Sequence, residues 1–332
     1  MSSTFAYQQV DVFAATEFNG NGLAVVFDAD HLSDDQMQRF AKWVNMAETV
    51  FFVEPTEEEA DYAIRIFTPT TELPFAGHPT LGAAHAWLES GGEPGPSGSL
   101  IQECRSGLIR LRVERKGTAE HSQRIAFLAP PLTRSGPLEP DVLQWAISGL
   151  GLQPEDVIDH SWLVNGPQPA GLVLRDADVV LAIEPDFDAL EGLEVGVIGP
   201  YTASSVSNGS WQPRQSVLPR LAGAREELLP LDSSDLERSE ERFGSVVMQP
   251  PADFEVRNFV PGEAVPEDPA TGSLNAAFGV WLTETGYAPQ RYTVRQGTRV
   301  GRDAILHVEA DDQGVWVSGD VVTRVCGTVS FD

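Results

Sequence analysis

The sequence predicts an α+β fold of two similar domains, each wrapped around one buried helix, and three observations carry that expectation. The stretch 71–89, TELPFAGHPTLGAAHAWLE, joins a glycine- and proline-rich turn to a short helix without a polar side. Gly82, Ala83, Ala84, His85, Ala86, Trp87 and Leu88 leave no stripe for water, and a helix apolar all round is buried on all sides. Far along the chain, residues 267–284, EDPATGSLNAAFGVWLTE, repeat the design: Gly272 and Ser273 stand where Gly77 and His78 stand, and both helices finish in Trp-Leu. The remaining strand-like stretches surround these single helices and do not alternate with helices as βαβ units, which argues against a doubly wound parallel sheet. Pro79 suits a first helical turn and sets the first start near His78. The free amides of Gly77 and His78 then point outward, at a terminus that attracts carboxylates and phosphates. We read the two helix starts as meeting at one cleft; two ordinary buried helices with glycine turns is the alternative, and the repeat alone does not separate the two.

Taken in order, residues 8–13 read as a strand, followed by a turn through Asn19, Gly20, Asn21 and Gly22 and a second strand at 23–27. Ser33 with Gln36 forms a capping box that opens a helix to about Val44, with Met37, Phe40, Ala41 and Val44 on its apolar side. Strands at 49–53 and 62–67, rich in β-branched and aromatic residues, precede the first buried helix. After a loop at 91–98, residues 100–103 and 108–115 form a hairpin about Ser106-Gly107, and the chain passes to its second half beyond Gly117. There a strand at 124–128 and a helix at 139–148 are expected, then strand pieces at 162–164, 170–174 and 195–200 with short helices near 178–182 and 188–190. Serine, proline and charge dominate 203–242, which reads as an insertion, either a solvated surface loop or a lid. Strands at 244–248 and 254–259 lead to the second buried helix, and strands at 292–296, 304–309, 315–318 and 321–331 end the chain. The expected domains are 1–118 with the C-terminal strand 321–332, and 119–320.

The chain has 332 residues, 49 acidic against 22 basic, for a net charge of −27. Such a surface repels nucleic acid and anionic membrane and argues against both as partners. Self-repulsion of that size destabilises the compact state unless salt screens it. With lysine only at Lys42 and Lys116 and arginine in most other basic positions, the composition points to a high-salt cytoplasm; an acidic protein of an ordinary cell is the other reading. The N-terminus lacks the charged start and apolar middle of a signal peptide, so a cytoplasmic location is expected. Cys104 and Cys326 have no metal-ligand spacing around them, and neither a disulfide framework nor a zinc site is suggested.

Glu48 lies in VNMAETVFF, between an amphipathic helix and an apolar strand. Beside Phe51, Phe52 and Trp43 its carboxyl would lose solvation and have its pKa raised, which suits proton transfer near neutrality; a solvated glutamate at a strand start is the plainer alternative. His78 could exchange a proton with a ligand or simply cap its helix. Asp268 precedes Pro269 in a turn that is a common structural device. His85 reads as core, and His31, His121, His160 and His307 have no neighbours that argue for chemistry.

Taken together, NMAETVFFV, RIFTPTTELPFAGHPTLGAAHAWL, EDPATGSLNAAFGVWL and QGTRVGR occur in the order and approximate spacing of the phenazine-biosynthesis isomerase (PhzF-like) family, related to diaminopimelate epimerase. The resemblance covers most of the chain except 203–242. It implies two halves, each a mostly antiparallel β-barrel around a central helix, with the site between them. It also implies a cofactor-independent isomerase, without nucleotide or metal, that moves a proton within a small cyclic or amino carboxylic acid. Glu48 matches the family's proton-transferring glutamate, His78 and Asp268 its acid-base and hydrogen-bonding partners, Ser273 a polar contact, and Gly77 and Gly272 the positions whose amides hold the substrate carboxylate. A homodimer is implied as well, and C2 dimers are the commonest oligomers. The chain departs from the family's pattern in three places: Ala47 for a serine, Gly22 for a proline, and Leu274-Asn275 for a small pair that could change pocket shape. An epimerase using two cysteines fails because neither helix start contains Cys. A non-catalytic metabolite- or partner-binding protein on the same fold stays open, since fold alone does not decide activity.

Overall fold

A computed structural model describes residues 3–115, 123–201, 252–263 and 265–332. The insertion expected at 203–242, the strand at 244–248 and the domain boundary after residue 118 lie outside those residues.

The first half runs β1 (Ser3–Val12), β2 (Asn21–Val26), α1 (Asp34–Val44), β3 (Glu48–Val53), β4 (Tyr62–Phe67), β5 (Glu72–Leu73), α2 (Gly77–Glu89), β6 (Ser99–Cys104) and β7 (Gly107–Arg115). Next come β8 (Gln123–Leu128) and α3 (Pro140–Gly149). The second half repeats the early order: β9 (Val157–Trp162), β10 (Ala170–Leu174), α4 (Ala177–Ala182), β11 (Val195–Pro200), β12 (Phe254–Phe259), β13 (Glu267–Asp268), α5 (Gly272–Thr285), β14 (Arg291–Gln296), β15 (Ala304–Asp311) and β16 (Gly314–Phe331). In both halves the same two crossovers are parallel: β2 to β3 over α1 and β10 to β11 over α4, then β4 to β6 over α2 and β12 to β14 over α5. The repeat first visible in two helices thus extends to the whole strand order.

Strands β1, β2, β3, β4, β6, β7, β8 and β16 hydrogen-bond in that order, and β16 returns to β1, closing an eight-stranded barrel. From β16 the path continues through β15, β14, β12, β11 and β10 to β9, curling about α5. The seam is β16, which pairs with β15 and β8 over its first part and with β1 from Val321 onward. The sequence suggests a break near Gly319-Asp320, but the strand runs through. A Cβ at Gly319 would lie 2.2 Å from the Phe13 ring, so this glycine admits a buried aromatic and does not mark a turn.

Each central helix is sheathed as its composition requires. Residues 77–84 of α2 and 272–279 of α5 are buried, and both helices contribute to one continuous core. A second core gathers α3, α4 and the strands from β9 to β11. Helix α1 starts at the expected capping box, with Ser33 Oγ accepting from Gln36 N–H and Gln36 Oε1 accepting from Ser33 N–H. Two local expectations fail. The strand placed at 162–164 lies earlier, at β9, whose half-polar VIDHSW pattern suits a strand at the end of the sheet path and which stops at Trp162, while Val164 makes only an isolated antiparallel bridge to Arg134. Residues 188–190 form a turn, capped by Asp186 accepting from Ala189 N–H. No helix among the described residues is long and apolar enough to cross a membrane.

Candidate active site

The helices α2 and α5 meet start to start. A Cβ on Gly77 would lie 2.6–2.7 Å from the backbone of Gly272 and Ser273, and one on Gly272 would lie 2.8–2.9 Å from that of Gly77 and His78. Only glycine permits this approach. The N-cap residues are Ala76 and Thr271, and neither gives a side-chain cap hydrogen bond: alanine has none to give, and Thr271 Oγ1 donates instead to Asp268 Oδ2 at 2.5 Å. First-turn amides have no partner within their own helix, so two uncapped positive dipole ends converge here.

A cavity of about 160 Å³ opens beside this junction, lined among others by Ala47, Glu48, Ala76, Glu194, Asn258, Glu263, Asp268, Thr271 and Ser273. Strand pairing places these groups. Glu48 is the first residue of β3, in register with Leu23 of β2, and Asn21 begins β2. Asp268 lies on β13 opposite Asn258 of β12, and Glu194 immediately precedes β11.

His78 Nε2 lies 3.3 Å from Glu48 Oε2, with side-chain exposures of 2% and 14%. The alignment is not that of a hydrogen bond, and both atoms are buried without any other partner. Burial lowers the His78 pKa to about 3, so the imidazole is neutral and the contact is not an ion pair. Burial, then the charges of Asp268, Glu263 and Glu194, push the Glu48 carboxyl well above the usual range. The sequence assigned this desolvation to Phe51, Phe52 and Trp43; Trp43 is instead 80% exposed, and Phe51 and Phe52 pack into separate clusters on opposite faces of β3, away from the residues that line the cavity. Burial also raises Asp268, against hydrogen bonds from Thr271, Ala270 and Asn21 that lower it.

Two amides that sequence reasoning did not assign to the site hold it together. Buried Asn21 donates from Nδ2 to Asp268 Oδ1 at 2.7 Å and Ala270 O at 3.0 Å, with His78 Nδ1 at 3.3 Å. Because Nδ2 can only donate, Nδ1 is the acceptor and the proton of neutral His78 belongs on Nε2, facing Glu48. Gln296 accepts at Oε1 from Thr271 N–H and Asn275 Nδ2, and donates from Nε2 to Asp268 O and Thr271 Oγ1. Asn21 stood in a recognisable turn and Gln296 in the QGTRVGR stretch; neither carried a charge or spacing pattern that would have marked it.

The departures from the family's pattern fall unevenly. Ala47 lines the cavity. Leu274 packs in the core and Asn275 is buried in the Gln296 network, so that pair shapes the helix seat and not the cavity wall. His85 is only partly buried, with Thr323 Oγ1 and Glu89 around Nε2.

The profile of the phenazine biosynthesis-like protein family matches residues 10–223 and 239–327. Antisense-enhancing sequence 1 of Schizosaccharomyces pombe is 32% identical, over 97% of each chain. The trans-2,3-dihydro-3-hydroxyanthranilate isomerase of Pseudomonas fluorescens is 28% identical, over 97% of this chain and 98% of that one. In fold, the chain resembles the crystal structure of the Bacillus anthracis phenazine biosynthesis protein of the PhzF family, with a TM-score of 0.68 at 19% identity and coverage of 98% and 99%. With a family profile spanning nearly the whole chain and a fold to match, this protein belongs to the phenazine biosynthesis-like, or PhzF, family of isomerases.

Proposed function

We propose that the chain is a cofactor-independent isomerase that moves a proton within a small cyclic or amino carboxylic acid. The observation that carries this reading is the Glu48 carboxyl, buried beside neutral His78 with Oε2 unpartnered, in a cavity that adjoins two uncapped helix starts. The amides of Gly77 and Gly272 hold the substrate carboxylate, with Ser273 as a polar contact. Glu48 takes a proton from one carbon and returns it to another, leaving substrate and product with the same atoms. Its raised pKa matches a group that must both accept and release a proton near neutrality. His78 Nε2–H and the Asp268 carboxyl serve as acid-base and hydrogen-bonding partners. The compound named for the Pseudomonas fluorescens relative is a cyclic carboxylate of this class.

The test is deuterium uptake from D2O into trans-2,3-dihydro-3-hydroxyanthranilate, followed by NMR beside a binding titration. Glu48→Gln keeps size and hydrogen-bonding capacity but removes the base. Exchange and turnover should fall by about 10²- to 10⁴-fold, while affinity changes little because backbone amides carry it. A variant that exchanges as fast as the wild type would make Glu48 structural.

We also take the protein to be a cytoplasmic homodimer with neither nucleic acid nor membrane as partner, on the strength of its charge and of the prevalence of C2 pairing. Sedimentation at high salt that returns a single 36.0 kDa species at micromolar concentration would count against the dimer.

A further inference from the structure

The two halves match residue by residue around the site. Thr49 of β3 pairs with Phe67 of β4, and Val195 of β11 pairs with Phe259 of β12. Phe67 then pairs with Glu72, and Phe259 with Glu267. Arg65 on β4 holds Glu72 through Nε and Nη2, both at 2.8 Å, and Arg257 on β12 holds Glu267 through the same atoms at 2.9 and 2.8 Å. Gly77 and Gly272 follow these glutamates at the same interval. In this frame the counterpart of Glu48, which precedes Thr49, is Glu194, which precedes Val195.

Both glutamates line the cavity at the helix junction. The contacts at that junction are reciprocal: a Cβ on Gly77 would meet Gly272 and Ser273, and one on Gly272 would meet Gly77 and His78. Reciprocal contact between equivalent residues follows from a two-fold relation, whose axis here passes between the helix starts. Equivalent residues lie on opposite sides of such an axis. A ligand whose carboxylate sits at the junction therefore has Glu48 on one side of its next carbon and Glu194 on the other. Burial raises the Glu194 carboxyl to about 7, as burial raises that of Glu48, and the Asn258 side-chain amide and the Gln168 N–H hold it in place. Asp268 has no such counterpart, because Leu73 stands in its place in the first half.

We propose that Glu194 is a second proton-transferring group, acting on the face of the ligand opposite Glu48, so that the site can invert a carbon as well as relocate its proton. One carboxylate takes the proton: its O–H bond forms as the C–H bond breaks, and the electron pair passes into the ligand carboxylate at the helix-start amides. The carboxylic acid across the axis gives its proton to the same carbon on the other face, and its O–H electron pair stays on the oxygen. The ligand leaves as its epimer with the same atoms, and the two glutamates have exchanged roles. The assignment rests on the proposed carboxylate site and on Glu48 as base, and adds inversion to the relocation proposed there.

The test follows cyclohex-1-enylacetate, whose methylene lies between its carboxylate and a ring double bond, in D2O at pH 8, with deuterium counted by NMR and mass spectrometry. Each face of that methylene presents one hydrogen, so the wild type should introduce two deuterium atoms. Glu194→Gln should stop at one, the second being slowed by about 10²- to 10⁴-fold, and Glu48→Gln should stop at the other. The singly labelled acid made by one variant should gain its second deuterium from the other variant and not from its own. Circular dichroism and melting curves establish that both variants are folded. Should either not fold, the wild type decides alone, on two deuterium atoms against one. A wild type that stops at one deuterium, or takes up none, overturns the second group, as does a folded Glu194→Gln that introduces both at the wild-type rate. Failure here is distinct from failure of the isomerase reading. One deuterium in the wild type, lost in Glu48→Gln, would leave Glu48 as the base and remove only Glu194, and uptake into trans-2,3-dihydro-3-hydroxyanthranilate judges Glu48 whatever this probe does.

Discussion

Glu48 and His78 oppose each other in how they couple protonation to folding. The folded-state pKa of Glu48 is raised above its ordinary value of 4.5, so its contribution to stability is full below that value and is lost as pH climbs toward the folded-state pKa. Glu48→Gln should therefore melt at a higher temperature than the wild type at pH 8, with the gap closing near pH 4. A variant that loses turnover and gains stability is what a group held ionisable for function predicts; equal melting curves at pH 8 would mean that Glu48 is better solvated than its burial indicates. His78 works the other way: its pKa is depressed from 6.5 to about 3, so its contribution is full above 6.5 and lost as pH falls toward 3. Asn21 tests the wiring between His78 and Asp268. Asn21→Ala leaves Asp268 Oδ1 and Ala270 O without their donor, which should cost about 1–3 kcal/mol in denaturant unfolding, and a change below a few tenths would show the network to be dispensable. Glu48, His78 and Asp268 were legible in the sequence because they sit in distinctive motifs, whereas Glu194 and Glu263 were not. Asn21, Gln296 and Asn258 were not, since a neutral amide declares its partners only when distant strands have brought them within reach.

At the scale of elements, the organising fact is the contact between the starts of α2 and α5, and it was half legible. Apolar residues on every face of both helices marked them as central, and the paired glycines marked their starts as alike. That the starts touch depends on the register of β13 against β12 and of β2 against β3, which no local pattern encodes. Local patterns misled where they were strongest: the Trp-Leu-Val run drew a strand away from β9, and Gly319 read as a break inside β16. Gly77→Ala tests the junction directly. Its Cβ would meet the Gly272 backbone at 2.6 Å, closer than packing allows, and neither helix can retreat without moving the strands packed around it. Overpacking of this kind should cost about 1–3 kcal/mol, and Gly272→Ala should cost a similar amount. On the proposed carboxylate site, either variant should also weaken binding of a carboxylate ligand. An alanine variant as stable as the wild type would mean that the helix starts stand farther apart in solution.

For the molecule as a whole, the two halves share one core and one seam strand, so a force that swells the surface strains both together. That force is the charge of −27. Arginines already sit among carboxylates, as Arg112 does with Glu114, Glu309 and Asp311 and Arg65 with Asp34 and Glu72, and with 49 acidic residues against 22 basic ones most of the acids have no cation to offset them. Their mutual repulsion acts over the screening length, about 10 Å at 0.1 M salt and about 3 Å at 1 M. Buried pairs such as Arg257–Glu267, at 2.8 Å, are shielded from that change, so added salt should relieve surface repulsion without dissolving the interior network. The unfolding midpoint should accordingly rise from low salt to molar potassium chloride, most steeply over the range in which the screening length shrinks fastest. Potassium chloride is the right salt for the measurement, because sulfate or phosphate would strengthen apolar burial in any protein. A midpoint that stays flat across that range would mean that the charge is tolerated without screening, and the high-salt cytoplasm inferred from composition would have to be given up.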